Sequence, residues 1–186
     1  MSWARKRFVG CCIHTSIVIR DSLTPVARYG PDTGKLEVHT YREGVAAKVG
    51  HDLIIVVERW SASDDGGALE LTADPTSLVV REGNRGVKPL TDKDRASIRR
   101  TIEKDILGRD EIRFASKSVE GGTVKGDLTI AGRTQPVEFD LRREGDRVRA
   151  TVPVVQTRWG IKPYRGFMGA LKVRDDVEIV LDAAGA

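Results

Sequence analysis

The sequence predicts an all-β domain with one main helix: an antiparallel sheet of about eight strands closed into a barrel. Three observations lead there. Apolar and polar residues alternate through many short runs, as in strands with one covered face. Clusters of Gly, Asp and Pro separate those runs, as antiparallel turns require. One stretch alone, 91–107, repeats its apolar residues at helical spacing. Closure removes exposed sheet edges, so a barrel with one covering helix is the economical arrangement.

The elements follow in chain order. YGPDTG (29–34) is a turn cluster. KLEVHTY (35–41) puts Leu36, Val38 and Thr40 on one face and Glu37, His39 and Tyr41 on the other. DLIIVVERW (52–60) is apolar on both faces at its start, which suits a strand covered on both sides. DDGG (64–67) turns the chain, and Asp74-Pro75 parts the runs ALELTA and TSLVVRE. GNRGVKP (83–89) is a loop.

In the helix, Thr91 caps and Asp94 completes a capping box. Ile98, Ile102 and Ile106 form its apolar stripe, while Arg99, Arg100, Glu103 and Lys104 line the other side. Gly108 stops it. EIRFASKSV, TVKGDLTIA, QPVEFDLRR, RVRATVPVV and GALKVRDDVEIVLDA are the remaining strands, turned at Gly121-Gly122, Gly132 and Gly145-Asp146.

Charge limits the function classes. The chain has 186 residues, with 31 Lys and Arg against 27 Asp and Glu. Residues 1–28 hold five of the bases, Arg5, Lys6, Arg7, Arg20 and Arg28, and one acid, Asp21. Residues 29–186 are therefore neutral overall, with 26 of each sign. A nucleic-acid binder carries its basic footprint on the folded domain, so nucleic acid is not expected as a partner.

Arg5-Lys6-Arg7 and the apolar run Phe8–Ile19 imitate a signal peptide. Cys11, Cys12, His14, Thr15 and Ser16 interrupt the run, and no small-residue cleavage site follows. Residues 1–28 are expected to be a basic, disordered extension and 29–186 the domain. The two adjacent cysteines are the only ones, so no disulfide frame holds the domain, and a cytoplasmic location is expected.

The stretch 124–141, VKGDLTIAGRTQPVEFDL, is the most informative. Val124, Gly126, Leu128 and Ile130 make one apolar row, and Val137, Phe139 and Leu141 the other. Gly126, Asp127, Leu128, Thr129, Ile130, Gly132, Thr134, Pro136 and Val137 resemble the signature hairpin of the bacterial YceI-like, or polyisoprenoid-binding, family. Ile112, Phe114 and Ser116 resemble the strand before it, and GVAAKVGHDL, RWGIKP and VRDDVEIVLDA resemble further parts. The resemblance covers about 29–183 and implies an extended lipocalin-like barrel. Its interior would hold an isoprenoid tail, such as that of a quinone or polyprenyl lipid, without a cofactor or covalent chemistry. The chain departs from the family in having the charged helix 91–107 where many relatives carry an Arg-Asp-x-His-Leu element.

Strand parity gives the inward face. Leu53, Ile55, Val57, Leu69, Leu71, Leu78, Val80, Ile112, Phe114, Leu128, Ile130, Phe139, Leu141, Val152 and Val154 are the candidate ligand contacts. Val177, Ile179 and Leu181 share that face. Periodicity alone favours a filled core, since interiors are normally close-packed, and it is the family resemblance that implies a cavity. TRWGIKPYRGFMG (157–169) is read as a lid or membrane-touching mouth, with Trp159 and Phe167 added to the contacts. Its Arg158, Lys162 and Arg165 suit an anionic head group, and solvated loop charges are the plainer reading.

His51 is a candidate for hydrogen bonding to a ligand head, against the plainer reading of a histidine satisfied by the protein. His39 and His51 lack the ligand spacing of a metal site. Gly-x-Ser-x-Gly, phosphate-loop and His-Glu-x-x-His patterns are absent, so an enzyme is not expected. The expected partners are an isoprenoid lipid, a transiently touched membrane surface and a second copy of the chain. The rival reading is a solid-core, stress-associated module that binds a protein through 157–169 or its outer face.

Overall fold

Alternating strands bury one face only by curling or by packing on another layer, and this chain does both. The computed structural model describes residues 26–185. Its strands are β1 (Ala27–Tyr29), β2 (Gly34–Thr40), β3 (Arg42–Glu43), β4 (Asp52–Val57), β5 (Trp60–Asp64), β6 (Leu69–Ala73) and β7 (Leu78–Asn84). Helix α1 (Asp92–Thr101) continues into a π turn (Ile102–Leu107). Then come β8 (Ile112–Glu120), β9 (Thr123–Ile130), β10 (Arg133–Glu144), β11 (Arg147–Val155), β12 (Arg165–Gly166), β13 (Leu171–Val173) and β14 (Asp176–Ala184).

Eleven strands form one antiparallel sheet in the order β1-β5-β6-β8-β9-β10-β11-β14-β2-β4-β7. The fold class is the expected lipocalin-like one, but the count of about eight strands is corrected. So is closure: the end strands β1 and β7 are not partners, and the sheet is a curled half-barrel. A second sheet, β12-β13-β3, was not foreseen, because its strands have two or three residues and show no period. Strand β1 takes in Ala27 and Arg28, assigned above to the extension. Residues 1–25, with Cys11, Cys12 and the signal-like run, lie outside the described residues.

The run 52–60 is two strands. The chain bends at Glu58-Arg59, and the parallel corner at Asp74–Ser77 bends β6 into β7 beside it. Asp74 fastens this corner. Its carboxylate accepts from the Thr76 amide and hydroxyl at 2.7 Å and from Arg59 at 2.7 and 3.0 Å. Buried Ser77 accepts from the Arg59 amide and donates to the Asp74 carbonyl.

Beyond this corner β7 loses its neighbour, because β8 begins at Ile112, level with Ala73. The helix joining β7 to β8 packs there instead. Arg95 donates to the Val80 and Arg81 carbonyls, and Arg99 to the Thr76 carbonyl at 3.1 Å. Those arginines satisfy the edge of β7. Arg99, expected to face solvent, thus serves as a tether. The Thr91–Asp94 capping box is present, and Gly108 ends the segment with φ 69°. In a regular α-helix, residues four apart drift by about 40°. The wider π turn counters that drift and keeps Ile106 in line with Ile98 and Ile102.

The signature hairpin is β9–β10, paired from Ile130↔Arg133 to Thr123↔Asp140. Ala131 and Gly132 both have positive φ, as a two-residue turn matched to strand twist requires. Gly126 lies beneath Phe114, whose ring meets Phe139 at 5.5 Å. A β-carbon there would sit 2.6 Å from the Phe114 ring and closer still to the Ala115 carbonyl.

Gly126→Ala is therefore expected to lower stability by about 1–3 kcal/mol, the usual cost of overpacking, in urea denaturation with an unchanged m-value. The hydrogen bonds from Thr76 and Arg59 also hold the Asp74 carboxyl down to about 2. A carboxyl with a depressed folded pKa stabilises the fold above its unfolded value, about 3.9. That contribution is lost as pH falls toward 2. Asp74→Asn should flatten the dependence of melting temperature on pH across that window. An unchanged slope would show that the corner does not report on global stability.

Candidate functional site

The helix covers the curled sheet without filling it. Between them lies a cavity of about 610 Å³, about four times the ~150 Å³ engineered cavity that accepts benzene. A smaller chamber of about 110 Å³ continues it toward the far end of the sheet. Val38, Val57, Ile112 and Ile179 border both chambers.

Of the sequence candidates, His51, Leu53, Ile55, Val57, Leu78, Ile112, Ile130 and Val154 line the larger chamber, with Val177 and Ile179. Leu69, Leu71, Phe114, Leu128, Phe139, Leu141 and Val152 line the smaller one, with Leu181. Two candidates stand apart from both. Val80 is buried in the main cluster on β7, where helix α1 packs. Trp159 is 1% exposed and its indole N–H donates to the Leu128 carbonyl at 2.9 Å, so it is fixed in a second buried cluster with Val137, Val154 and Val177. The Phe167 side chain lies outside the described residues.

Sequence reasoning missed the helical wall. Ile98, Ile102, Ile106 and Leu107 all line the larger chamber. Their spacing is visible in the sequence as one apolar stripe, but a stripe does not distinguish a helix packed on a core from one that walls a cavity. At the mouth, Ile161 and Tyr164 lie in the 157–169 stretch read as a lid or mouth, whereas Val49, Val87, Leu90 and Leu171 were missed, because the segments that carry them are too short to show a period.

Polar groups are few inside. The Thr40 hydroxyl is buried in the larger chamber with no hydrogen-bond partner. Gln156 also lines that chamber, and its amide donates to the Arg174 carbonyl at 2.9 Å. His51 stands at the mouth, where its Nε2–H donates to the Lys88 carbonyl at 2.7 Å, which puts the acceptor of the neutral ring at Nδ1. Its ring packs on the Gly86 backbone, a position that a β-carbon would fill.

His39 lies away from the cavity and donates to Glu37 at 3.0 Å. Tyr41 donates to Glu178 at 2.6 Å, and that bond pushes the phenol up to about 12. Among the described residues no three His, Cys, Asp or Glu are grouped to hold a metal ion. Among the described residues the arrangement offers a largely apolar channel in which one buried hydroxyl, that of Thr40, lacks a partner.

A cavity this size receives bulk that a filled core would reject. Val154→Phe is expected to change stability by less than about 1 kcal/mol, where overpacking a filled core costs about 1–3. A loss in that higher range on urea unfolding would refute an open chamber beside Val154.

Residues 39–184 match the YceI-like domain. The crystal structure of BcnA from Burkholderia cenocepacia is similar, with a TM-score of 0.54 over 83% of this chain and 97% of that one. The two are 16% identical, so the likeness is one of fold. No curated protein matches the chain at a significant level. The domain match spans well over half of the sequence: the chain belongs to the YceI-like family.

Proposed function

We propose that the protein is a carrier that holds the isoprenoid tail of a quinone-like or polyprenyl lipid in its interior, without covalent chemistry. The 610 Å³ chamber walled by aliphatic side chains is the observation that carries this reading. It lies within the usual range of small-molecule sites, roughly 300–1,000 Å³. The smaller chamber extends the path available to a long chain.

The chemistry of the wall selects the ligand class. Burying about ten methylenes contributes roughly 8 kcal/mol. That corresponds to micromolar binding before the costs of association are subtracted. A longer tail offsets those costs with no strong polar anchor. The Thr40 hydroxyl adds one hydrogen bond for a ligand carbonyl or ether oxygen that reaches it.

Native mass spectrometry of freshly purified protein, followed by solvent extraction, tests this. The expected result is a stoichiometric hydrophobic adduct, identified as an isoprenoid lipid after release. Val154→Phe should bind the same lipid at least several-fold more weakly while keeping its fold. A clean apo mass, together with failure to take up added quinones and polyprenyl lipids, would overturn the carrier reading and favour the protein-binding module.

A further inference from the structure

The mouth of the chamber is built from three segments distant in sequence: 42–50, 85–90 and 161–174. Strand β3 of the first pairs with β13 of the third, and the Ala46 amide donates to the Ala170 carbonyl at 3.0 Å. Arg42 ties the second to the first by donating to the Gly50 carbonyl at 2.8 Å and to the Arg85 carbonyl. The result is a laced collar around the opening.

This collar departs from the rest of the domain in two independent ways. The first is charge. The three segments hold eight Lys and Arg against one acid, Glu43. Arg42 and Arg85 share Asp52, and Arg174 pairs with Asp176. Lys48, Lys88, Lys162, Arg165 and Lys172 make no ion pair among the described residues. Arg165 opposes Lys172 across β12–β13 and Glu43 opposes Lys172 on its other side, so this row of the small sheet holds two cations against one acid. The first helical turn beside the mouth (Asp92, Lys93, Asp94, Arg95) is neutral and does not cancel this excess. Because 29–186 is neutral overall, the rest of the domain is correspondingly acidic. The domain is polarised, with its positive end at the mouth.

The second departure is exposed apolar surface. Val45 is 95% exposed and Met168 fully so; Val49, Val87 and Tyr164 are also exposed and line the opening. Met168 is held out on a left-handed backbone, φ 54°, a conformation that costs a non-glycine residue free energy. Only Val26 and Val155 complete the set of exposed large hydrophobics among the described residues.

Unpaired cations around projecting apolar tips are complementary to one surface chemistry: phosphate groups over acyl chains. We infer that the collar is a docking surface for an anionic phospholipid bilayer, which sets the mouth of the chamber against the lipid. The inference rests on the carrier reading, and the two fail separately. Extraction reports what fills the cavity, and sedimentation reports contact with the bilayer.

The test is co-sedimentation of the full chain with vesicles of phosphatidylcholine alone and of equal parts phosphatidylcholine and phosphatidylglycerol. Binding is expected to the anionic vesicles only, weakening as salt is raised. A combined Lys162→Gln, Arg165→Gln and Lys172→Gln variant should lose on the order of a hundredfold in partitioning, since each basic residue near an anionic surface contributes roughly fivefold. Val45→Ser with Met168→Ser should also weaken binding with every charge kept and an unchanged circular dichroism spectrum. Wild-type binding by both variants would place the lipid contact elsewhere, in the basic segment 1–28 for example, and overturn the inference. Equal binding to both vesicle types would overturn it as well. So would a dimer in sedimentation velocity that the Met168→Ser change abolishes, since the collar would then be a contact between copies.

Discussion

An antiparallel sheet with one apolar face must cover that face, and this sheet cannot do so by closing on itself. Its end strands, β1 and β7, do not meet. Everything at the site depends on how the helix from 92 to 107 answers that constraint. It packs beside β7 where β8 has not yet begun, and arginine side chains bind it to the carbonyls of the strand edge. A helix so placed presents its isoleucine stripe to the concave face across the chamber. The sheet contributes one wall and the helix the other, and the chamber is the distance between them.

Why that distance stays open follows from composition. Close packing of a wide interior needs large side chains, and aromatic residues make up 5% of this chain. The aromatics that border the interior space gather at the far end. Phe114 and Phe139 meet there at a tilt with Phe114 over Gly126, Tyr29 lines the same chamber, and about 110 Å³ remains. Around the larger chamber the one Phe, Tyr or Trp among the described residues is Tyr164, at the mouth. Valine, isoleucine and leucine on opposing walls are too short to meet, so about 610 Å³ remains. The large residue that could have filled it, Trp159, is committed to the Leu128 carbonyl and packs among Val137, Val154 and Val177 instead.

This division explains what could be read from the sequence. The β9–β10 hairpin was legible because its alternation, its turn and its glycine are all local. The helix cap was legible for the same reason, since Thr91 and Asp94 lie within one turn. The corner at Glu58-Arg59 was not, because two charged residues between Val57 and Trp60, with no Gly or Pro, give no sign of a bend that the facing Asp74–Ser77 segment enforces. Strand parity placed most inward residues on the right face but carried no information about whether the opposite wall was near enough to touch. That depends on the helix, whose stripe reads identically whether it packs on a core or encloses a space. The collar was the least legible part. Its charges belong to three segments, and a count along the chain averaged them with the acidic remainder to zero.

The same contrast bears on how a ligand would enter. The far end is closed by long paired strands and by the Phe114–Phe139 contact, whose opening would break many ladder hydrogen bonds at once. The helix is tied at Arg95 and Arg99. The mouth is built from strands of two or three residues, single helical turns and loops, where few backbone bonds need break together. Local opening costs least in such elements. The polar links that do cross the mouth, from Arg42 and His51 to backbone carbonyls, can be exchanged for water with little net loss. The apolar path thus meets its most easily opened structure at the end that also carries the unpaired cations, so in the proposed carrier entry, release and contact with an anionic surface would converge on one face of the molecule.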